Sequence, residues 1–503
     1  MDRRAGARYH ESVHTTTQGN GVETRGTERD TDPKGWARAL SDVTREHGFV
    51  PLRVEGTLPD DLRGTMYRNG PGLFRLFEHR YRHWFDGDGL ISAVRFEGGK
   101  ALGASRLLET AGLLEERHRG KAYFGSYGTA APGLFNPLRA LRSVKGTSKN
   151  PANTSVLAWN ERLFGLCEIG KPFELDSELS SIGETDLGGV IPRSFTAHPH
   201  RVAANGCIYN VGQRVGKPAL LDAFVLRPDG SAGLITTLPL DFSTVIHDFA
   251  VTERALIVFV PPLPLALLRT LFGMGSFAEN LRWEADRGTE VIVIPLDAPA
   301  SPIRFRVPAF FAWHIGNAFE RDGELVVDLV RYRDFPVTND WISSLMHGGP
   351  TTDADGILTR ARIDPKRHTL QFEPLRDRTG EFPRVAPSVD AAPNETVYWT
   401  EHSTPEVGRS GPPDTIVRVD TPSGRHDAFT FPRGQWPSEG VFVPRPGGSR
   451  EDDGWIVALV YEAASHTSHW AVLDAAHLAD GPIARAHLEH HVPLSFHGTW
   501  VPR

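Results

Sequence analysis

The chain has 503 residues, a net charge of −7 at neutral pH and a hydrophobic fraction of 40%, which is the composition of an ordinary globular protein. Two cysteines, Cys167 and Cys207, rule out a disulfide framework and a cysteine-built metal site. No basic run stands out, which argues against a nucleic-acid partner. Any transition metal would have to be held by histidine or carboxylate.

Residues 1–35 are polar and lack the apolar core of a signal peptide, so a disordered tail is expected. No stretch offers the roughly 18 unbroken apolar residues of a membrane-spanning helix, and a cytoplasmic location is expected. Helical periodicity is sparse and best at 35–44 and 263–283. Strand-like runs dominate from residue 50 onward. LIVFV (256–260), TEVIVIPLD (289–297), ELVVDLV (324–330), TIVRVD (415–420) and WIVALVYE (455–462) are β-branched and aromatic, and they end at Gly, Pro or Asp.

One pattern recurs: a strand ends in an apolar residue and an acid, turns, and is followed by another strand. It occurs at Phe96-Glu97, Leu175-Asp176, Leu296-Asp297, Ile363-Asp364, Val419-Asp420 and Leu473-Asp474, with a similar hairpin at Arg227-Pro228-Asp229-Gly230. Seven marks at a loose period of about 50 to 80 residues predict an all-β fold, a seven-bladed β-propeller spanning 36–503 as one domain.

Of 21 histidines, most sit in polar surroundings, including His10 and His14 in the tail and His487, His490 and His491 in a polar run. Four have apolar or aromatic neighbours: His198 in SFTAHPH, His247 in STVIHDFA, His314 in FFAWHIGNAF and His497 in LSFHGTW. A buried imidazole there needs a partner. Taken singly, each fits a hydrogen-bonded core residue. Together, in different blades, they can meet on the propeller axis. Four neutral imidazoles suit Fe, Cu, Zn or Ni. A closed tetrahedral zinc site is one option, and an octahedral Fe(II) with two open positions is another. Metal-bound histidines donate their second N–H to an outer acceptor. Glu168, Glu381 and Glu439 lie in suitably apolar or turn contexts, although solvated surface glutamates would read the same.

The sequence resembles the carotenoid cleavage oxygenase family. GTLPDDLRGTMYRNGP (56–71), HWFDGDG (83–89), ADRGTEVIVI (285–294) and WPSEGVFVP (436–444) are similar to family motifs. FTAHPH, IHDF, FAWH followed by NAF, and the terminal FHGTWVP resemble its four iron-histidine motifs in order. The resemblance runs from about residue 45 to the C-terminus. It implies a cap of loops and short helices over one central Fe(2+) held by His198, His247, His314 and His497. His198 is preferred to His200 because it follows Thr-Ala and precedes proline. The resemblance further implies that Glu168, Glu381 and Glu439 accept from three of the histidines while His198 lacks such a glutamate. Thr154, 14 residues before Glu168, matches a threonine whose methyl narrows an open iron position.

The implied reaction is dioxygenase cleavage of a carbon–carbon double bond in a carotenoid or apocarotenoid with O2, giving two carbonyl products. A stilbenoid is the nearest rival substrate. Stilbene-cleaving relatives place a lysine directly before the first glutamate, and here that position is Cys167. A retinoid-type isomerohydrolase and a noncatalytic polyene-binding propeller complete the alternatives. The four histidines and three glutamates argue against the noncatalytic reading. Two leucine-rich segments, 261–277 and 132–141, are too short to span a bilayer. They either pack as cap or form an apolar patch at a tunnel mouth, and the resemblance favours the patch, with peripheral contact on the inner face of a membrane.

Overall fold

The structure is a computed structural model that describes residues 34–132 and 149–503. The expected tail therefore lies outside the described residues but for its last two positions, as do Leu134, Phe135, Leu138 and Leu141 of the second apolar segment.

Six antiparallel sheets, one of them seven-stranded and divided between two blades, form the seven blades of a propeller. The first is built on Gly64–Leu73, Asp88–Glu97 and Lys100–Leu107, with His47–Pro51 outside and the C-terminal strand Gly498–Pro502 inside. Blades two, three and four follow in chain order at 155–184, 200–240 and 250–307. Blades five and six share one 16-residue strand, Thr369–Arg384. Its first part pairs with Ile357–Asp364 and its last part with Thr396–Glu401. The seventh blade uses Gly454–Glu462, Thr467–Asp474 and Pro482–His487, and takes Arg53–Gly56 as its outer strand. The ring is thus closed twice. Gly498–Pro502 enters blade one in register Arg68↔Gly498, and Arg53–Gly56 enters blade seven.

All seven marks fall where a blade's third strand turns into its fourth. At Asp176, Asp229, Asp364 and Asp474 the carboxylate accepts the amide two residues on, each at 2.9 Å. An aspartate that closes its own turn in this way is why the pattern recurs.

Two expected helices shrink. The first is a single 3-10 segment, Gly35–Ala39. Beyond it the chain is drawn onto blade one, where the Asp42 carboxylate accepts the amides of Phe74 and Arg75 and the Val43 amide donates to the Gly72 carbonyl. The second is reduced to Leu267–Leu271 and one turn at Ala278–Asn280. Pro261, Pro262 and Pro264 remove amide donors at its start. Gly273 and Gly275, at φ 64 and 80, break it at the end. These pieces join Ala111–Arg119, Phe335–Leu345 and Pro405–Ser410 in a cap of loops and short helices. Among the described residues no helix is long and apolar enough to cross a membrane. His490 and His491, placed on the surface by their polar neighbours, are buried. His47 and Ser41 of the N-terminal strap cover them.

Candidate metal centre

Each blade delivers one polar side chain to the axis, from the innermost strand, the turn beside it or, in blade two, the turn after the second strand. Blade one supplies His497, immediately before its closing strand, and blade two supplies Glu168. Blades three, four and five supply His198, His247 and His314. Blade six supplies Glu381 and blade seven Glu439. Inner strands converge at the axis, so residues more than 300 positions apart meet there.

The metal-facing nitrogens of His198, His247 and His314 lie within 4.8 Å of one another. His314 Nε2 is 3.3 Å from His247 Nε2 and 3.1 Å from His497 Nε2. The His198 ring packs 4.4 to 5.0 Å, centroid to centroid, from the other three. On the far side of the rings, His247 Nδ1 is 2.8 Å from Glu168 Oε1, His314 Nδ1 is 2.5 Å from Glu381 Oε2, and His497 Nδ1 is 3.0 Å from Glu439 Oε1. A carboxylate fixes Nδ1 as the donor, which leaves a lone pair on Nε2. Three such lone pairs aimed at one point from 3.1 to 3.3 Å do not hydrogen-bond to each other. They match neighbouring ligands on a metal whose bonds to nitrogen are about 2.1 Å long. His198 Nε2 is buried and has no hydrogen-bond partner, which again calls for a cation. So does the local charge, since the three carboxylates Glu168, Glu381 and Glu439 are set against two guanidiniums, Arg68 and Arg384, both of which lie at Glu439. The residues fit a metal ion, and the arrangement is a metal site.

The electrostatics keep the donors neutral or cation-seeking. Burial pushes His198 well below the usual imidazole range and His497 to about 4. At His314 the Glu381 carboxylate outweighs burial and raises the pKa. The same attraction strengthens that ring as a donor to a cation. Burial also works against ionisation of Glu439, but Arg384, His497 and Arg68 hold it well below the usual carboxylate range. Arg384 Nε reaches Glu439 Oε1 at 2.8 Å, the Gly498 amide donates to Oε2 at 2.8 Å, and Arg68 Nη1 lies 3.6 Å from Oε2. The Tyr332 hydroxyl donates to Glu381.

Replacing Glu381 or Glu439 by glutamine should weaken metal binding about 10- to 100-fold, the usual effect of an outer partner. Glu439 should be the more sensitive, because its neighbours include two guanidiniums. Metal titration of purified variants reads this directly, and three glutamine variants, Glu168→Gln included, with unchanged affinity would remove these carboxylates from the site.

Every sequence-predicted residue is at this centre, whereas His200 turns away toward Asp248. Thr154 is buried beside Cys167, and its carbonyl accepts the His497 amide at 3.2 Å. Sequence reasoning missed Arg68, Arg384 and Tyr332. Arg68 was within sight, inside the GTMYRNGP motif. Nothing marks Tyr332 at the end of an ordinary strand.

Above the centre opens a cavity of about 840 Å³, in the upper part of the roughly 300–1,000 Å³ typical of ligand sites. Phe85, Tyr127, Phe277, Trp313 and Trp341 line it, and Thr154, His247, His314 and His497 form its floor.

Fold and site together define a propeller enzyme with a histidine metal centre on its axis. The chain belongs to the carotenoid oxygenase family, since the sequence profile described as RPE65, retinal pigment epithelial membrane protein, matches residues 40–502. It is similar to the apocarotenoid-15,15'-oxygenase of Synechocystis, with 33% identity over 94% of this chain and 97% of that protein. It is 29% identical to the lignostilbene-alpha,beta-dioxygenase isozyme III of Sphingomonas paucimobilis, over 93% of this chain and 97% of that one. The crystal structure of cobalt-substituted Synechocystis apocarotenoid oxygenase superposes with a TM-score of 0.84 at 32% identity, covering 95% of this chain and all of that one.

Proposed function

We propose that the chain is an iron-dependent dioxygenase that cleaves a carbon–carbon double bond of a carotenoid or apocarotenoid with O2 to give carbonyl products. One observation carries this reading: His247, His314 and His497 converge at the floor of a cavity walled by aromatic rings, with the His198 ring packed against all three. His198, His247, His314 and His497 would hold one Fe(II), which when bound supplies the activation of O2. Glu168, Glu381 and Glu439 orient three of the rings. The aromatic walls take an extended polyene and exclude water, and the depth to which it slides selects the bond. Thr154 narrows the space above the rings. No side chain at the cavity floor is needed as acid or base.

Cys167 lines the same cavity, and burial pushes its thiol up, so it stays neutral there. A charged lysine at that position would meet a phenol, and an uncharged thiol does not, which favours an isoprenoid over a stilbenoid. The test is mass spectrometry of products from a panel of apocarotenals, carotenoids and stilbenes, using protein loaded with iron under anaerobic conditions and then exposed to O2. Two aldehydes or ketones from a polyene support the reading. Cleavage of stilbenes alone, or full turnover without iron, overturns it.

The 261–277 segment offers such a substrate a route to the cavity. Leu263 and Leu265 are core residues and Leu267 packs against the core. Leu268 is 71% exposed, and Leu271, Phe272 and Met274 are also exposed. Leu271, Phe272 and Met274 border the cavity, as do the exposed Ile169 and Val215. Apolar side chains around a cavity mouth suit peripheral contact with a bilayer surface, from which a polyene can pass directly inward. The wild-type chain is expected to sediment with liposomes, and Leu268→Glu with Phe272→Glu should release it while leaving its unfolding temperature unchanged. A wild type that never associates with liposomes would place the entry route elsewhere.

A further inference from the structure

Three of the four imidazoles have a carboxylate at Nδ1, and His198 does not. Among the described residues the one carboxylate oxygen within 4 Å of its ring is Glu168 Oε1, 3.9 Å from Nε2, on the face turned toward the other histidines. Something else must hold this ring in place.

The next carboxylate along the axis is Asp248, the residue after His247, with a side chain only 3% exposed. Its Oδ1 accepts the Phe249 amide at 2.7 Å and lies 2.7 Å from His200 Nε2. Its Oδ2 accepts the amide of Ile315, the residue after His314, at 2.7 Å. One carboxylate is thus bonded to blades three, four and five, next to His247, next to His314 and two residues from His198. The link from His200 back to His198 is stiff, because Pro199 lies between them and fixes its own φ. On the other side of His198 the chain is pinned as well. The Thr196 hydroxyl donates to the His247 carbonyl at 2.6 Å, and the Ser155 hydroxyl donates to the Ala197 carbonyl.

We propose that Asp248, acting through His200, is the positioning residue of the metal centre: it holds His198, which has no carboxylate of its own, and fixes the separation of the His198, His247 and His314 rings. This rests on the metal reading above. The carboxylate is placed to do what three outer glutamates do elsewhere in the site, but through the backbone of its neighbours rather than at a ring nitrogen. Without it, the Ile315 amide and His200 lose their buried acceptor, and three ligand-bearing segments from different blades lose their common tie.

The test uses the full chain, stripped of metal and titrated anaerobically with Co(II), whose visible absorption reports the arrangement of its ligands. Affinity, stoichiometry and spectrum are read beside the unfolding temperature of the metal-free protein. Asp248→Asn, in which one oxygen becomes a donor, is expected to bind cobalt about 10- to 100-fold more weakly and with an altered spectrum. His200→Ala should show the same spectral change. His200→Gln, whose amide can still donate to Asp248, should restore the wild-type spectrum. The double variant Asp248→Asn with His200→Ala should be no worse than Asp248→Asn alone. If Asp248→Asn fails to fold, the contrast between His200→Ala and His200→Gln carries the test. Wild-type affinity and spectrum in both Asp248→Asn and His200→Ala, whatever their unfolding temperatures, overturn the positioning role while leaving the metal reading intact. A wild-type chain that takes up no cobalt overturns both.

Discussion

His314→Ala should take the protein from one bound metal per chain to none, and turnover should vanish with it. His314 is the ring that neighbours both His247 and His497, at 3.3 and 3.1 Å, so its removal opens the middle of the donor set. It also strands Glu381, a mostly buried carboxylate left with the Tyr332 hydroxyl and the Phe382 amide. An unpaired buried charge of this kind is costly, so a drop in unfolding temperature should accompany the loss. Elemental analysis after anaerobic reconstitution reads the metal, and an oxygen electrode with an apocarotenal reads the turnover. A variant that retains stoichiometric iron would remove His314 from the donor set. Native protein holding stoichiometric zinc, with no activity that depends on iron, would overturn the choice of metal.

Deleting residues 495–503 should be more damaging still, because it acts on the fold and the site together. The cut removes His497 and the strand Gly498–Pro502, which closes blade one against Gly64–Leu73. It also removes two acceptors of the buried Arg68 guanidinium, the Ser495 hydroxyl and the Phe496 carbonyl, and one of Arg384, the Gly498 carbonyl. The expected result is a chain that binds no metal and unfolds well below the intact protein by circular dichroism. Loss of residues 1–32, by contrast, should change neither property. A truncated chain that still cleaves a polyene would show that neither His497 nor the closing strand is required.

The histidines were legible because of what surrounds them. An imidazole flanked by Phe, Trp, Ile or Ala in a strand-rich chain needs a partner, and four of them in separate repeats point to a shared one. The blades were legible through their turns, since at four of the seven marks an aspartate accepts the amide two residues later and leaves the same trace. The outer glutamates were legible only through motif resemblance. Glu168, Glu381 and Glu439 look like any surface acid until the axis brings each to a particular ring. Apolar periodicity over 263–283 overstates the helix, because Pro264 precedes it and Gly273 and Gly275 end it. His490 and His491 looked exposed because local polarity says nothing about a strap that arrives from residues 41–47.

Residue chemistry and periodicity alone pointed to an all-β ring of seven repeats and set four histidines apart from seventeen others. These are local properties, written in composition, alternation and turn chemistry. The pairing of three of the four histidines with one carboxylate each, the convergence of Arg68 and Arg384 on Glu439, and the threefold grip of Asp248 were decided only by the tertiary structure. Each depends on the angle at which one blade meets the next, and that angle comes from the packing and twist of whole sheets. The 840 Å³ cavity is of the same kind. Its aromatic lining is drawn from segments more than 250 residues apart in the chain, and no window of sequence contains its shape.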